Sequence, residues 1–279
     1  TWKFVHPKDL QDGIIEVTDQ DVLANVPYVP GVNLWFDHHS SENERLGKDA
    51  RFKGESRLAD SAARVIYDYY DGKTRLPQME EMVVAVDKVD AAKLTREEIM
   101  NPTGWVLLGF LMDPRTGLGR FREFRISNYA LMEKLIDAVA EKPIDQILAD
   151  PDVAERVNMY FEQEAQFRTM LQAHTTTRGN AIITDLRDVA PIYTGNRFLV
   201  YSLYPEQNIS LWVVDGRDKQ NCPIAVGHSV LNRTSKTDVG SLMLKYGGGG
   251  HPQVGTCQVD YADADRVIDE LVAKINADG

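Results

Sequence analysis

Short apolar runs, each closed by Gly, Pro or Asp, alternate with helical patterns along the first third of the chain, and this rhythm restricts the fold more than anything else in the sequence. The runs Trp2-Lys3-Phe4-Val5-His6, Val22 to Val26 and Val32-Asn33-Leu34-Trp35-Phe36 are too short for helices and read as buried strands. A helical stripe follows, with Ala62, Val65, Ile66, Tyr69 and Tyr70 on one face, Asp60 as its expected N-cap and Gly72 just past its end. Over residues 79–89 a second helical face carries Met82, Val83, Val86 and Val89. Strands interleaved with helices predict an α/β fold with a largely parallel sheet.

Further along, residues 105–142 read as mostly helical, with Ser127 capping a helix over 128–141, and residues 152–174 as one long polar helix. The period then changes. Ala181 to Leu186, Phe198 to Tyr204, Ile209 to Val214 and Pro223 to Val230 read as strands, and a closing helix from about Asp263 to Ile275 aligns Val267, Ile268, Leu271, Val272 and Ile275. At roughly 150 residues per domain, 279 residues predict two domains. The expected architecture is an N-terminal parallel-sheet domain over 1–142, a helical connector over 143–175 and a smaller C-terminal mixed-sheet α/β domain over 176–279.

Lys and Arg number 31 against 42 Asp and Glu, a net charge of −11 that disfavours wrapping of duplex DNA. A small anion in a focused basic or metal-containing pocket remains compatible with that sum. The longest apolar run, Trp105 to Met112, is too short to cross a bilayer, and no leading segment reads as a signal peptide. Cys222 and Cys257 form neither a disulfide framework nor a C-x-x-C pair, so small buried thiols and a cytoplasmic location are expected.

The sharpest local feature is Asp37-His38-His39, directly after a strand-like run. A polar triplet there sits at the carboxyl edge of the sheet, where open α/β folds place ligand sites. One carboxylate and two imidazoles suit Mn, Fe, Co or Zn, and a solvated turn is the bland alternative. Gly247-Gly248-Gly249-Gly250-His251 is rarer by chance. It follows an amphipathic helix (Val239, Leu242, Met243, Tyr246) and precedes the strand-like Val254 to Val259, so it reads as a loop whose bare amides form an anion nest beside His251. Upstream, Arg233 is the best phosphate fork, with His228 and Lys236 nearby; an ordinary surface arginine is the alternative. Two basic loops come next. Residues 40–58, with Arg45, Lys48, Arg51, Lys53 and Arg57, read as a lid, and residues 113–125, with Arg115, Arg120, Arg122 and Arg125, as a phosphate-steering loop; solvated surface is the bland reading of both. Asp87 and Asp90 lie three apart on one helical face, and either can ligate a metal.

Asp-His-His after a strand, paired with a Gly-Gly-Gly-Gly-His segment about two hundred residues later, resembles the DHH phosphoesterase family with its DHHA1 C-terminal domain. The stretch His228 to Thr234 is similar to the strand-and-arginine element before the glycine segment of that domain, and Trp35 to His39 resembles the exopolyphosphatase-related branch. The resemblance implies a divalent-metal-dependent phosphohydrolase with two ions, manganese by preference. It implies Asp37, His38 and Asp87 (or Asp90) as metal ligands, Asp87 preferred because it follows Val83-Val84-Ala85-Val86 directly. His38 and His39 become catalytic groups, His39 beside the substrate phosphate. Arg233, Gly247, Gly248, Gly249, Gly250 and His251 become substrate-binding groups. The implied substrates are short single-stranded oligonucleotides, nucleotide phosphates or polyphosphate, with a homodimer left open. The family's opening Asp-x-Asp motif is absent from the sequence, and its next aspartate falls near Asn25, so a segment ahead of Thr1 is expected. The competing reading is a non-catalytic nucleotide- or oligophosphate-binding module.

Overall fold

The run ending at Phe36 becomes the middle strand of a three-stranded sheet in the computed structural model, which describes residues 1–39, 45–46 and 51–279. Of the expected lid, residues 40–44 and 47–50, Lys48 among them, lie outside the described residues. The chain divides into two compact units, one made of Thr1–Lys93, Thr103–Gly109 and Asn128–Leu148, the other of Leu94–Pro102, Phe110–Ser127 and Ala149–Gly279.

In the first unit β1 (Val22–Ala24), β2 (Leu34–Asp37) and β3 (Gly54–Ser56) pair in parallel in the order β1-β2-β3. The alternation of β2 sends Trp35 and Phe36 to opposite faces, and both are fully buried. Trp35 packs with Leu10 and Leu23 and donates its Nε1–H to the Val26 carbonyl at 2.8 Å. Phe36 meets the Tyr69 ring edge-on at 5.0 Å. Helices α1 (Ala62–Tyr69), α2 (Glu80–Asp90) and α3 (Asn128–Glu141) follow. The cap of α1 is Ser61, not Asp60: the Ser61 hydroxyl accepts the Arg64 N–H, while Asp60 pairs with Lys93. On α2 the buried residues are Val83 and Ala85, and Val86 of the expected stripe is exposed. Trp2 to His6 does not form a strand. Pro7 has no N–H to pair, and His6 caps a short helix, Pro7–Gln11, by accepting the Lys8 N–H.

From residue 149 the second unit continues with α4 (Pro151–Glu162) and α5 (Glu164–His174), which replace the expected single helix; the break is at Gln163, whose side chain accepts the Thr194 N–H at 2.8 Å. After them come β4 (Thr175–Arg178), β5 (Ala181–Asp185), α6 (Leu199–Leu203), β6 (Ile209–Val213), β7 (Cys222–His228), α7 (Val239–Leu244), β8 (Gly249–His251), β9 (Val254–Val259) and α8 (Tyr261–Asp278), with short helical turns between some of them. The sheet runs β4-β5-β6-β7-β9-β8, parallel only between β5 and β6. One face carries Ile183, Leu211, Ile224 and Val226 against Val267 and Leu271 of α8. Cys222 and Cys257 are free and buried in that layer, where burial pushes both thiols up. Phe198 to Tyr204, expected as a strand, is the helix α6. Its residues Leu199 to Ser202 are all buried, so the run shows no period, and Asn196 starts the turn by accepting the Phe198 N–H at 2.9 Å. The protein is thus α/β, with a parallel sheet in one unit and a mixed sheet in the other. Among the described residues no helix is long and apolar enough to cross a membrane.

Candidate active site

Asp37 closes β2 at the carboxyl end of the parallel sheet and is fully buried. Both its oxygens accept from His39: Oδ2 from the backbone N–H at 3.1 Å, and Oδ1 from ring Nδ1 at 2.9 Å. That tight turn leaves a second lone pair on each oxygen and fixes the tautomer of His39, whose ring remains partly exposed. His38 points elsewhere. Its Nδ1 lies 3.0 Å from the Ala59 carbonyl, which can only accept, so Nδ1 carries a proton. Nε2 faces Asp90 Oδ2 at 3.3 Å.

The two aspartates at the end of α2 therefore differ. Asp87 accepts the Ser61 hydroxyl at 2.7 Å and Arg64 Nε at 2.8 Å, in a network that continues from Arg64 to Glu80 at 3.3 Å. Burial opposes the Arg64 charge, yet bonds and charge from Asp87 and Glu80 outweigh it and raise the guanidinium's pKa. Asp90, one turn later, approaches His38. An imidazole nitrogen and a carboxylate oxygen facing each other at this distance require a proton or a cation between them. An imidazole anchored through its other nitrogen to a carbonyl is the arrangement of ligating histidines. On that ground the His38–Asp90 pair fits a divalent cation. Among the described residues no group of three or more His, Cys, Asp or Glu is close enough to enclose an ion.

In the second unit Arg233 lies in the turn after β7, its Nε donating to the Val230 carbonyl at 3.0 Å. His228 is engaged with the Thr237 carbonyl at 2.8 Å. The glycine segment is not the expected loop. Gly249 to His251 form the edge strand β8 against β9, and the N–H groups of Gly247 and Gly248 bond the Leu244 and Met243 carbonyls that end α7. Those two amides are spent, so they form no anion nest. The glycines serve close packing: a Cβ on Gly248 would stand 2.0 Å from the Thr256 carbonyl oxygen, and one on Gly250 2.2 Å from that of Val254. His251 is exposed on β8.

Of the four arginines in the 113–125 loop, Arg125 pairs with Asp152, while Arg115 and Arg120 line a cavity of about 310 Å³. Its floor is the sheet face opposite α8, in two cross-strand rows: Trp212, Ala225 and Thr256, then Ser210, Gly227 and Val254. Gly117 holds φ +93°, and the resulting turn leaves Arg120 Nη1 within reach of the Ile192 carbonyl. Sequence reasoning missed Arg197, which also lines the cavity. Burial, with repulsion from Arg115, pulls its pKa down to about 10. Asp113 faces both arginines, with Arg115 Nε at 2.7 Å and Arg197 Nε at 3.5 Å. The available signal was small residues, Ala225 and Gly227, alternating in a strand opposite a tryptophan.

The sequence matches no protein-family model and resembles no curated protein. Among solved structures it is similar to the pGpG-specific phosphodiesterase PggH from Vibrio cholerae, with 47% identity over 99% of this chain and 90% of that one and a TM-score of 0.86. An exopolyphosphatase-related protein from Bacteroides fragilis matches at 15% identity over 89% of this chain and 65% of that one, with a TM-score of 0.48, a likeness too distant to build on.

Proposed function

The chain belongs to the DHH/DHHA1 phosphoesterase family, and from that premise we propose that it is a divalent-metal-dependent phosphodiesterase of short linear oligonucleotides, with a guanine dinucleotide of the pGpG kind as substrate. The observation that carries this reading is His38 Nε2 facing Asp90 Oδ2 at 3.3 Å while Nδ1 is held by the Ala59 carbonyl. His38 and Asp90 would hold the ion, Asp37 would join them only in a completed shell, and Asp90 rather than Asp87 would be the α2 ligand. A bound divalent ion, manganese by preference and two in a complete site, supplies positive charge to the attacked phosphate and a hydroxide source near neutral pH. The chain's own groups do the rest. Ala59 orients the His38 ring, and Asp37 orients His39, which by its likeness to the family motif would stand beside the substrate phosphate. Ser61 and Arg64 pin Asp87, which makes Asp87 a positioning residue for the helix that carries Asp90. Arg233 and His251 supply cationic and hydrogen-bonding groups to the distal end of the substrate, and Gly247 to Gly250 hold the β8 edge in place.

The test is hydrolysis of a panel of linear dinucleotides, nucleoside bisphosphates and polyphosphate, with manganese and after chelation. Dinucleotide cleavage that EDTA abolishes and manganese restores is expected, together with its loss in the Asp37→Ala, His38→Ala double variant. Turnover confined to polyphosphate, cleavage without metal, or full activity of the double variant refutes the reading. Dinucleotide binding without cleavage in manganese assigns the chain instead to a non-catalytic binding role.

A further inference from the structure

A dinucleotide brings a flat apolar base as well as a phosphate. We propose that the cavity on the open face of the second unit's sheet binds one guanine base of the substrate, and that Arg197 selects it; this rests on the phosphodiesterase reading above. The floor is bare by sequence. A Cβ on Gly227 would meet only Tyr201 Oη at 3.6 Å and Val254 Cγ2 at 3.8 Å, ordinary contact distances, so a side chain would fit there and fill the space. Trp212 and Tyr193 bring aromatic groups to the cavity, and base stacking on such rings stabilises binding whatever the base. Its volume of about 310 Å³ is at the lower end of small-molecule sites and suits one base rather than two.

Charge then selects among bases. Arg115, Arg120 and Arg197 reach the cavity, and Asp113 is committed chiefly to Arg115. Arg197 lies 4.0 Å over the Phe198 ring, which fixes the plane of its guanidinium. Among the described residues its polar contact is Nε to Asp113, so both Nη groups are left for a ligand. A desolvated cation short of acceptors is costly, and a ligand edge with two acceptors removes that cost. Polyphosphate would leave the apolar floor unused. Guanine presents O6 and N7 as paired acceptors to an arginine fork, whereas adenine places a donor at the matching position.

Binding of pGpG and pApA is measured by calorimetry in EDTA, where nothing is cleaved. The wild-type protein is expected to bind pGpG roughly ten- to a hundredfold tighter than pApA. Arg197→Lys keeps the charge, loses the fork and brings the two affinities together, and Gly227→Leu fills the floor and weakens both. Equal binding of the two dinucleotides by wild type, full preference in Arg197→Lys, or wild-type affinity in a folded Gly227→Leu overturns the proposal. The wild-type comparison decides even where a variant does not fold. Guanine-selective binding without manganese-dependent cleavage keeps the pocket and removes the phosphodiesterase reading; cleavage without base preference does the reverse.

Discussion

Asp87→Asn and Asp90→Asn separate the structural carboxylate of α2 from the one proposed to bind the metal. Asp87 is 15% exposed and Arg64 17%, and they meet at 2.8 Å. Breaking a buried pair from one side costs about 3–5 kcal/mol. This pair is mostly rather than wholly buried, and Arg64 keeps Glu80 at 3.3 Å, so about 2–3 kcal/mol is expected. The amide that Asp87→Asn introduces also turns a donor toward a neighbour that only donates, which argues against a smaller value. At roughly 2–4 °C per kcal/mol, melting falls by about 5–10 °C. Asp90 is 43% exposed, and its contact with His38 contributes under about 1 kcal/mol. The order reverses for manganese. Asp90→Asn loses more than the roughly 10–100-fold that removal of a ligand's supporting partner costs, and Asp87→Asn stays at or below that range. Melting is followed in EDTA at pH 7, since bound metal adds its own stabilisation, and manganese affinity by calorimetry. A stable Asp87→Asn that no longer binds manganese, beside an Asp90→Asn that binds it normally, refutes the reasoning.

Gly248→Ala sets a methyl 2.0 Å from the Thr256 carbonyl oxygen and should cost about 1–3 kcal/mol, whereas a Cβ at Gly249 meets nothing within 4 Å and Gly249→Ala should melt within about 2 °C of wild type. Arg197→Met removes a cation that burial disfavours, so it should raise the melting temperature by about 2–6 °C while pGpG binding falls, and a lowered melting temperature contradicts the cavity electrostatics. Burial opposes the Asp113 charge, but hydrogen bonds and charge from Arg115, with Arg197, hold its pKa below the usual carboxylate range. Ionised Asp113 therefore stabilises the fold above about pH 4, and this contribution disappears as pH falls through the lower folded value. The stability gap between wild type and Asp113→Asn, measured by melting at stepped pH, should narrow as pH falls below about 4; a constant gap would show that Asp113 acts otherwise.

Elements with a clear period were legible in the sequence. The stripe Val267 to Ile275 falls wholly inside α8, and Asn128–Glu141 begins and ends where its cap and pattern predict. Phe198 to Tyr204 failed because burial on every side erases periodicity. The strand β8 failed because glycine carries no strand signal of its own; pairing with β9 makes it. Thr175–Arg178 was missed for a related reason, since three of its four residues are exposed and only the edge pairing with β5 is strand-like. At the site, Asp37-His38-His39 was readable because a polar triplet interrupts an apolar run. The choice between Asp87 and Asp90 was not, because it turns on where Arg64 and Ser61 point. Arg197 joins Asp113 from 84 residues away along the chain, a distance over which no local pattern extends.

The short stretch from Ala59 to Ser61 clamps two things at once: one carbonyl orients the His38 ring, and a hydroxyl two residues later caps α1 and grips α2. Fraying of that first helical turn would dismantle cation affinity while the β-sheet beneath stayed intact. Hydrogen exchange at the Arg64 amide should consequently slow when manganese binds, making one backbone proton a reporter of occupancy.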